Sequence, residues 1–571
     1  MKRLFRYFKG YEKYLILGPL FKLLEAIFEL IVPLVMSRII DTGIHNGDRP
    51  YVIRMSCVII LLGVCGLAFA LTCQYFAAKC AYGFASDLRS DLYRHINSFS
   101  HAELDKLGAS TLTTRIINDT NAVQTGVNMF IRLATRSPFL IIGAIIMAVS
   151  IDAKLSLIFL VAAPLIAFIV YKVMSISIPM YKNNQKRLDK ISLLTGENLE
   201  GVRVIRAFSR QKEEISEFDS ASDDLSVNQI AVSKISAILN PATFIIMNFA
   251  ITAIIWFGGI RVNTGSLTQG EITAFVNYLT QISLSLVVFA NLIIYFNKAL
   301  ASANRISAVF ETMPGLENGT GHIDKNERIS VEFRNVSFHY PSSSENAINN
   351  ISFCLPAGQT LGIIGGTGSG KSTIASLIPR FYDATEGTVL INHKDIREMD
   401  ISDLRKKIAV VPQKASLVSG TIAENIRTGN KDASEEDIIQ ALITAQAYEF
   451  VCKLPDGIHS QVSPGGRNFS GGQRQRLTIA RAVAAKPDVL ILDDSSSALD
   501  QQTDYNLRKA ISQSLKGTSV IMISQRATSL KNSDLILVLD DGECVGAGTN
   551  DTLEKECMVY KEIIDTQKAG E

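Results

Sequence analysis

Hydrophobic residues are unevenly spread along the chain, and their arrangement divides it into two parts. Residues 1 to about 300 contain long apolar runs, whereas later residues alternate short apolar stretches with polar ones. The first pattern is typical of membrane-spanning helices, and the second indicates alternating strands and helices. The join between them is rich in Gly, Pro, Asn and Thr, which predicts a linker. We therefore predict a helical membrane domain at 1–310, a linker at 311–328 and an α/β domain at 329–571.

Six apolar segments of the first part are long enough to cross about 30 Å of hydrocarbon. They lie near residues 14–41, 51–80, 128–151, 154–176, 233–262 and 271–299. The basic residues ahead of the first segment predict a cytoplasmic N-terminus, and the apolar residues between them indicate a helix at the membrane interface. In this orientation the two long polar loops, about 81–127 and 177–232, lie in the cytoplasm. Their helical pattern predicts arms on the order of 30 Å long.

The overall composition excludes several classes of protein. Hydrophobic residues make up 47% of the 571 residues and charged residues 20%, with a formal net charge of +2. This balance excludes a binder of nucleic acid driven by bulk charge, and it excludes a disordered chain. Eight cysteines in this length exclude a disulfide scaffold, and without a CxxC pair a zinc site is not expected. We expect a lipid bilayer, and no nucleic acid, among the partners.

The segment Thr360–Thr373, TLGIIGGTGSGKST, predicts a phosphate-binding loop. It is an apolar strand followed by Gly365-x-x-x-x-Gly370-Lys371-Ser372. Glycines let backbone N–H groups curl around phosphates, the lysine reaches the β and γ oxygens, and the serine hydroxyl binds Mg²⁺. A helix starting here would add its partial positive charge. The pattern predicts that ATP or GTP binds at Gly365, Gly366, Thr367, Gly368, Ser369, Gly370, Lys371, Ser372 and Thr373.

A second apolar stretch, Val489–Asp493, ends in an acidic residue. Four apolar residues followed by aspartate predict a buried strand of a parallel sheet. We expect this strand to lie beside the strand of the phosphate-binding loop, with Asp493 directed at the Mg²⁺ ion.

Between these two motifs lies Asn468–Arg476, which contains Ser470-Gly471-Gly472-Gln473. The order of phosphate-binding loop, SGGQ and acidic strand resembles the ATPase domains of ABC transporters. Six predicted spans with two long cytoplasmic loops ahead of one such domain resemble an ABC exporter half-transporter. The resemblance implies a polytopic α-helical membrane domain fused to an α/β P-loop ATPase domain, with ATP and Mg²⁺ as cofactors.

The resemblance also implies roles for residues outside the phosphate-binding loop. Tyr340 matches the aromatic residue that stacks on adenine. Gln413 matches the residue that contacts Mg²⁺ and the γ-phosphate, so the implied Mg²⁺ contacts are Ser372, Gln413 and Asp493. The segments 104–112 and 197–208 match the coupling helices of the two long loops. The residues that match the signature, and that would act on the partner's nucleotide, are Ser470, Gly471, Gly472 and Gln473. Ser497–Asp500 matches the D-loop of the family.

Three positions depart from the family pattern. Asp494 stands where the family has the glutamate that orients the attacking water, and Gln525 stands where it has a histidine. An aspartate places its carboxylate roughly 1–1.5 Å farther from the water, and a displacement of about 1 Å can cost on the order of a hundredfold in rate. Glutamine can donate a hydrogen bond to a phosphate oxygen but cannot become cationic. Pro464 replaces a glutamate that contacts the coupling helices.

These departures resemble the degenerate-site subunit of bacterial heterodimeric ABC exporters. The resemblance implies a partner chain with a competent glutamate and histidine, and a multi-pass protein of a bacterial plasma membrane with a cytoplasmic ATPase domain. Multidrug export of an amphipathic substrate is the default by resemblance only. Two alternatives remain open: a slow homodimeric exporter or lipid flippase, and an ATP-binding regulatory membrane protein without transport.

Some polar residues lie inside the predicted spans. Glu29 lies deep in the first span, and Asn277 and Gln281 form an i, i+4 stripe in the last. Intramembrane polar groups either line a substrate pathway or join helices by hydrogen bonds, and both readings stay open. Pro138 and Pro241 predict interruptions of their helices.

Overall fold

The structure is a computed structural model that describes residues 2–323, 327–341, 343–495 and 497–569. Residues 324–326 of the predicted linker lie outside the described residues. The chain divides into two compact units. One contains Met1–Asn97 and Ser110–Thr312, and the other contains Ser98–Ala109 and Met313–Glu571. The tip of the first long loop thus groups with the nucleotide-binding motifs, although it interrupts the helical part of the sequence.

Helices cover most of residues 12–311. They are α1 (Glu12–Arg38), α2 (Arg49–Asn97), α3 (His101–Leu107), α4 (Ala109–Thr114), α5 (Thr120–Met129), α6 (Arg136–Ile151), α7 (Leu157–Ala207), α8 (Gln211–Ala237), α9 (Leu239–Asn263) and α10 (Gln269–Glu311). Short π-helical stretches lie at Ile39–Ile44, Arg115–Asp119 and Phe130–Ala134, and a 3₁₀-helix at Lys2–Phe8. The loops predicted to be helical are confirmed as such, because α2 and α7 continue far beyond the predicted spans.

Among the described residues, five helical stretches are long and apolar enough to cross a membrane. They are Arg49–Asn97, Ala109–Ile151, Leu157–Ala207, Gln211–Asn263 and Gln269–Glu311. Helix α1 has 27 residues, but Lys22, Glu25 and Glu29 interrupt its apolar run. A sixth span therefore stays a prediction. The helical stretches break at Thr135 and Ile238, three residues before Pro138 and Pro241, as expected for residues that lack an N–H donor.

Small residues bring the helices of the first unit close together. A Cβ atom on Gly126 of α5 would collide with the Cβ of Ala299 on α10, so only glycine fits at this crossing. Elsewhere in this unit the Tyr278 hydroxyl donates to the carbonyl of Leu30 at 2.8 Å. The N-terminal segment also packs onto the unit, because Phe8 stacks on Phe84 with ring centroids 4.6 Å apart.

The described strands of the second unit form three sheets. Their strands are β1 (Val331–Phe338), β2 (Ile348–Leu355), β3 (Thr360–Gly365), β4 (Glu386–Ile391), β5 (Lys394–Asp395), β6 (Ile408–Val411), β7 (Gly420–Thr421), β8 (Gln461–Val462), β9 (Val489–Asp493), β10 (Ser519–Ile523), β11 (Leu535–Asp540) and β12 (Glu543–Gly548). The main sheet has the order β12-β11-β3-β10-β9-β6, and the others are β2-β1-β4-β5 and β7-β8. In the main sheet only the β11–β12 pairing is antiparallel.

Helices cover the strands of the second unit. They are α11 (Lys371–Leu377), α12 (Ile401–Lys407), α13 (Ile422–Arg427), α14 (Glu435–Thr444), α15 (Tyr448–Cys452), α16 (Gly471–Ala484), α17 (Gln501–Ser514), α18 (Ala527–Leu530), α19 (Asn550–Glu556) and α20 (Met558–Ala569). The central strands are buried on both faces, which explains their continuous apolar sequences. The fold class predicted from the sequence, a helical membrane domain with an α/β domain, is confirmed.

One expectation about the sheet is wrong. The acidic strand β9 does not lie beside β3, because β10 pairs with both and separates them. The reason is that β10 is apolar on both faces and reaches the same register on each side, with Ile523 opposite both Ile363 and Asp493. Parallel strands end at the same edge, so Asp493 still reaches the phosphate-binding loop.

The two segments predicted as coupling helices differ in structure. The first, 104–112, covers the end of α3 and the start of α4. Helix α3 is a separate helix in the second unit, and its N-terminus has a capping box formed by Ser100 and Glu103. The predicted segment 197–208 is no separate helix, because α7 runs through it to Ala207 and a short turn then leads to α8.

Asp119 is the buried charge that joins α10 to the π-helical turn before α5. Its side chain is 5% exposed and forms ion pairs with Arg305 and, at 2.9 Å, with Arg115. Burial raises the pKa of Asp119, but hydrogen bonds from Arg305, Ser302 and Arg115 outweigh it, so the pKa is lower than usual. A lowered pKa means that this carboxylate stabilises the fold above about pH 4, and that the gain is lost as the pH falls through the folded-state pKa.

We expect Asp119→Asn to lower the stability of the full-length protein by about 2 kcal/mol at neutral pH. This is below the cost for a fully buried pair, because Arg305 is 44% exposed and water screens it. Thermal denaturation in mild detergent measures the effect, and the gap to wild type should shrink below pH 4. Asp224→Asn is the matched control, because Asp224 pairs with Arg187 at an exposed position and should lose little. Equal losses in both variants would contradict the prediction.

Candidate functional site

The phosphate-binding loop follows β3 at the carboxyl edge of the main sheet. Its sharp turn depends on Gly370, which has φ +91° and whose added Cβ would lie 2.6 Å from the carbonyl of Ala347. Gly366 and Gly368 have open space around them on the protein side. Helix α11 starts directly after Gly370. The glycines therefore leave an open backbone cradle at this edge, which fits a chain of phosphates.

Lys371 lies inside this cradle. Its ammonium group donates to the carbonyl of Gly365 at 2.9 Å, to that of Gly366, and to the Ser369 hydroxyl at 3.2 Å. Burial lowers the pKa of Lys371, whereas the carboxylates of Asp494 and Asp493 raise it, and burial dominates. A buried ammonium with only neutral acceptors in direct contact favours an anionic ligand, because an anion restores the lost solvation.

The acidic side of the cradle is formed by Asp493 and Ser372. The Ser372 hydroxyl donates to Asp493 Oδ1 at 3.1 Å, so two of the three residues predicted to contact Mg²⁺ are together. Burial raises the pKa of Asp493, and the neighbouring Asp494 adds to this, against the hydrogen bond from Ser372 and the charge of Lys371. A bound cation would offset the cost of burying two neighbouring carboxylates, and oxygen ligands of this type suit Mg²⁺. When bound, Mg²⁺ would neutralise phosphate charge beside Ser372 and Asp493.

Asp494 is held in an unusual backbone conformation. Its φ is +42°, in the left-handed region, and its N–H donates to the carbonyl of Ile523 at 3.0 Å. The carboxylate accepts a hydrogen bond of 3.3 Å from Gln413 Nε2, which places the predicted Mg²⁺-sensing residue against Asp494. Burial raises the pKa of Asp494, although Gln413, Lys371 and Arg526 act in the opposite direction.

Gln525 lies in the segment after β10. Its side chain is exposed, and its carbonyl accepts a hydrogen bond of 2.6 Å from the side chain of Gln567. Gln567 also accepts from the N–H of Ala527 at 2.9 Å. Helix α20 thus fixes the backbone of the segment that carries Gln525. The sequence offered no motif that pointed to Gln567.

Tyr340 lies on the other side of the phosphate-binding loop. Its hydroxyl is 3.2 Å from the Thr373 hydroxyl, and its ring contacts Phe338 and Tyr382 edge-to-face. The ring is half-buried, so one part remains open to a stacking partner. The geometry fits the predicted adenine platform. Tyr382, which the sequence did not single out, completes this aromatic group.

The predicted signature forms the start of α16. Ser470 and Gln473 cap that helix reciprocally, with Ser470 N–H to Gln473 Oε1 at 2.9 Å. Gly471 is exposed with open space around it, and a Cβ on Gly472 would lie 3.1 Å from the carbonyl of Ala498. The predicted signature therefore lies beside the loop Ser497–Asp500.

Pro464 belongs to a 3₁₀ turn ahead of the signature, Pro464–Gly466. Several hydrogen bonds hold this turn, among them those from the Gly465 N–H to the Leu417 carbonyl at 3.2 Å and from the Ser463 hydroxyl to Asn468 at 2.8 Å. The turn thus has its own hydrogen bonds without the glutamate of the family pattern.

The polar residues of the predicted spans have partners within the first unit. Glu29 forms a 2.8 Å ion pair with Arg136 of α6, and Gln281 donates to the carbonyl of Glu29 at 3.2 Å. Glu29 therefore has a partner on another helix that the sequence did not suggest. Asn277 is exposed and donates to the carbonyl of Thr273 in its own helix at 2.9 Å. These contacts favour helix joining for Glu29 and Gln281 and leave Asn277 open.

Two protein-family models match the chain. The ABC transporter transmembrane region matches residues 15–286, and the model described as ABC transporter matches residues 348–497. The second match contains the phosphate-binding loop and the signature. It also contains Asp493, at the end of β9, and Asp494 directly after it.

Full-length relatives agree with these matches. The chain is 35% identical over 567 residues to the uncharacterized ABC transporter ATP-binding protein YfiB of Bacillus subtilis, covering 99% of this chain and 98% of the relative. It is 31% identical over 576 residues to a putative export ATP-binding/permease protein of Rickettsia felis, with the same coverage. A solved bacterial Atm1-family ABC exporter with ATP bound has a TM-score of 0.80 and 22% identity over 99% of this chain and 98% of that chain, which shows a shared fold.

We expect Gly370→Ala to destabilise the cradle by about 2 kcal/mol, because an L-residue is strained at this φ and its Cβ would collide with Ala347. Binding of a fluorescent ATP analogue should also be lost. Gly366→Ala is the control, since its Cβ would meet no protein atom within 4 Å. Thermal denaturation without nucleotide should separate the two variants, and equal midpoints would contradict the assigned role of Gly370.

Proposed function

The chain belongs to the ABC transporters, with a membrane domain and an ATPase domain fused in one half-transporter, and from this premise we propose that it is the degenerate-site subunit of a heterodimeric exporter. In this proposal its own site binds ATP and Mg²⁺ and hydrolyses ATP slowly. Its signature completes a second site whose phosphate-binding loop belongs to a different chain. Hydrolysis occurs mainly at that second, composite site.

The observation that carries the proposal is the arrangement of Asp494. The aspartate is one methylene shorter than a glutamate, and its carboxylate is tied to Gln413 rather than directed freely into the site. General-base or water-orienting groups need hydrogen-bond reach to the water they act on. With its carboxylate withdrawn by roughly 1–1.5 Å, Asp494 supports a loss on the order of a hundredfold in hydrolysis.

The residues that hold nucleotide are complete in comparison. Lys371 donates to Ser369 within the cradle, Ser372 donates to Asp493, and Tyr340 is only half-buried beside Thr373. This contrast supports a site that retains ATP without rapid turnover. Gln525 also supports slow turnover, because an amide cannot supply the positive charge of a protonated histidine.

We also propose a partner surface, a membrane orientation and a substrate class for this chain. Gly471 is exposed at the start of α16, where it could meet a nucleotide held by a partner with a competent glutamate and histidine. The chain would lie in a plasma membrane, in a bacterium, with its N-terminus and ATPase domain in the cytoplasm. It would move an amphipathic substrate outward by alternating access. Asn277, exposed on α10, is the residue of the predicted pathway that remains free to face that substrate.

The test restores the family residues. We expect Asp494→Glu combined with Gln525→His to raise the ATPase rate of this chain's own site on the order of tenfold to a hundredfold, with little change in ATP affinity. The measurement is steady-state ATP hydrolysis by the complex purified in mild detergent, with the partner's catalytic glutamate changed to glutamine. Asp494→Asn with Gln525 retained is the matched control and should show no gain.

Native mass spectrometry of the complex from its own membranes decides between the subunit readings. A second, non-identical chain of similar mass supports the heterodimer. A mass of twice this chain, with unaltered turnover, would refute it in favour of a slow homodimer. Substrate-stimulated hydrolysis that is lost with the partner's glutamate would exclude a purely regulatory role.

A further inference from the structure

A short run of aromatic residues connects the nucleotide cradle to α3. The Tyr382 hydroxyl donates to Asp105 Oδ2 of α3 at 2.6 Å. On its other side the Tyr382 ring contacts Tyr340 edge-to-face, with centroids 5.5 Å apart and an angle of 85°. Tyr340 in turn lies 3.2 Å from Thr373, directly after Ser372. All of these residues belong to the second unit.

The residues on either side of Tyr382 hold the turn that carries it. Arg380 is 2% exposed and forms an ion pair with Asp383 at 2.7 Å. The neighbouring Phe381 stacks on His101 of α3 at 4.4 Å, and the Arg405 guanidinium lies 5.3 Å from the centre of the Phe381 ring. These contacts hold the turn against α3 and leave the Tyr382 ring between Tyr340 and Asp105.

In the hydrogen bond between Tyr382 and Asp105, the tyrosine is always the donor and the carboxylate the acceptor. Burial raises the pKa of Tyr382, and the carboxylate of Asp105 raises it further, so the phenol keeps its proton and donates at neutral pH. A donor facing a carboxylate forms a charge-assisted bond, which is shorter and stronger than a neutral one. The 2.6 Å distance agrees with this.

We propose that Tyr382 is a positioning residue that links a base stacked on Tyr340 to α3 through the bond to Asp105. The proposal rests on the proposed function, in which this site binds ATP and hydrolyses it slowly. A base on Tyr340 restricts that ring, the edge-to-face contact restricts Tyr382, and the hydrogen bond to Asp105 becomes more persistent. Residues 98–109 are joined by the chain to α2 at one end and to the rest of α4 at the other. ATP bound at a slowly hydrolysing site would therefore still have an effect, because the bound nucleotide itself stabilises the docked α3.

The linkage must be reciprocal. If a nucleotide stabilises the docked α3 by a certain factor, then the docked α3 raises the affinity for that nucleotide by the same factor. A ligand without a base does not reach Tyr340 and should show no such linkage. This difference separates a positioning role from a purely structural one.

The experiment is hydrogen–deuterium exchange on the full-length chain, purified in mild detergent with the subunits that accompany it. The probes are the non-hydrolysable analogue AMP-PNP with Mg²⁺, and inorganic triphosphate with Mg²⁺. In wild type, AMP-PNP should slow exchange at His101–Leu107 about fivefold, a typical allosteric factor, and triphosphate should not. In Tyr382→Phe the effect of AMP-PNP on α3 should vanish, and the affinity for AMP-PNP should fall by the same factor while that for triphosphate is unchanged.

Three matched variants check the route. Asp105→Asn keeps an acceptor for the Tyr382 hydroxyl and should retain most of the effect, whereas Asp105→Ala should lose it. Tyr560→Phe removes a hydroxyl of the same kind, which donates to Asn550 at 2.9 Å elsewhere in this unit, and should behave as wild type. Loss in Tyr560→Phe as well would refute the specific role of Tyr382.

The outcomes also distinguish this proposal from the proposed function. Protection of α3 by AMP-PNP in Tyr382→Phe as strong as in wild type, or by triphosphate as strong as by AMP-PNP, overturns the proposal while protection of the phosphate-binding loop upholds ATP binding. If AMP-PNP protects neither the loop nor α3 in wild type, both proposals fall together.

Discussion

Strand β10 is the constraint on which the nucleotide site depends. It pairs in parallel with β3 on one side and β9 on the other, so that the loop with Lys371 and the acid Asp493 end at one edge. Two backbone hydrogen bonds extend this register past the strands, from Ser524 N–H to the Ile363 carbonyl at 3.1 Å and from Asp494 N–H to the Ile523 carbonyl at 3.0 Å. The second of these holds Asp494 in its left-handed conformation. The placement of every charged group in the site thus follows from the pairing of one apolar strand.

The same edge shows why, under the proposed function, a site can bind ATP well and react slowly. Binding needs backbone N–H groups, one ammonium and two oxygen ligands, and all of these are fixed by short-range geometry around the loop. Reaction needs one further carboxylate at a defined distance from a water molecule. In the proposed function Asp494 falls short in that last requirement only, because its side chain is short and accepts a hydrogen bond from Gln413. Affinity and turnover therefore depend on different residues and can change separately.

The sequence predicted the local features well and the long-range ones poorly. The loop Gly365–Thr373, the signature at Ser470–Gln473 and the helical arms follow from motifs and periodicity, which act over a few residues. The insertion of β10 between β3 and β9, and the ion pair of Glu29 with Arg136, could not be read in this way. They join residues about 30 to 160 positions apart, and such pairings are decided by packing rather than by local preference. The site was predictable because its residues share the end of a strand, where parallel pairing collects them.

The grouping of α3 with the second unit has a consequence for the order in which the chain can fold. Asp105 and Tyr382 are 277 positions apart, and most of the first unit lies between them. At a synthesis rate of about 5–20 residues per second, α3 is made on the order of ten seconds or more before its binding surface exists. Until then His101 and Asp105 lack Phe381 and Tyr382 as partners, so α3 cannot dock while the intervening helices are made. A fragment that starts at Met313 would lack α3 altogether and would expose Phe381 and Tyr382 in its place.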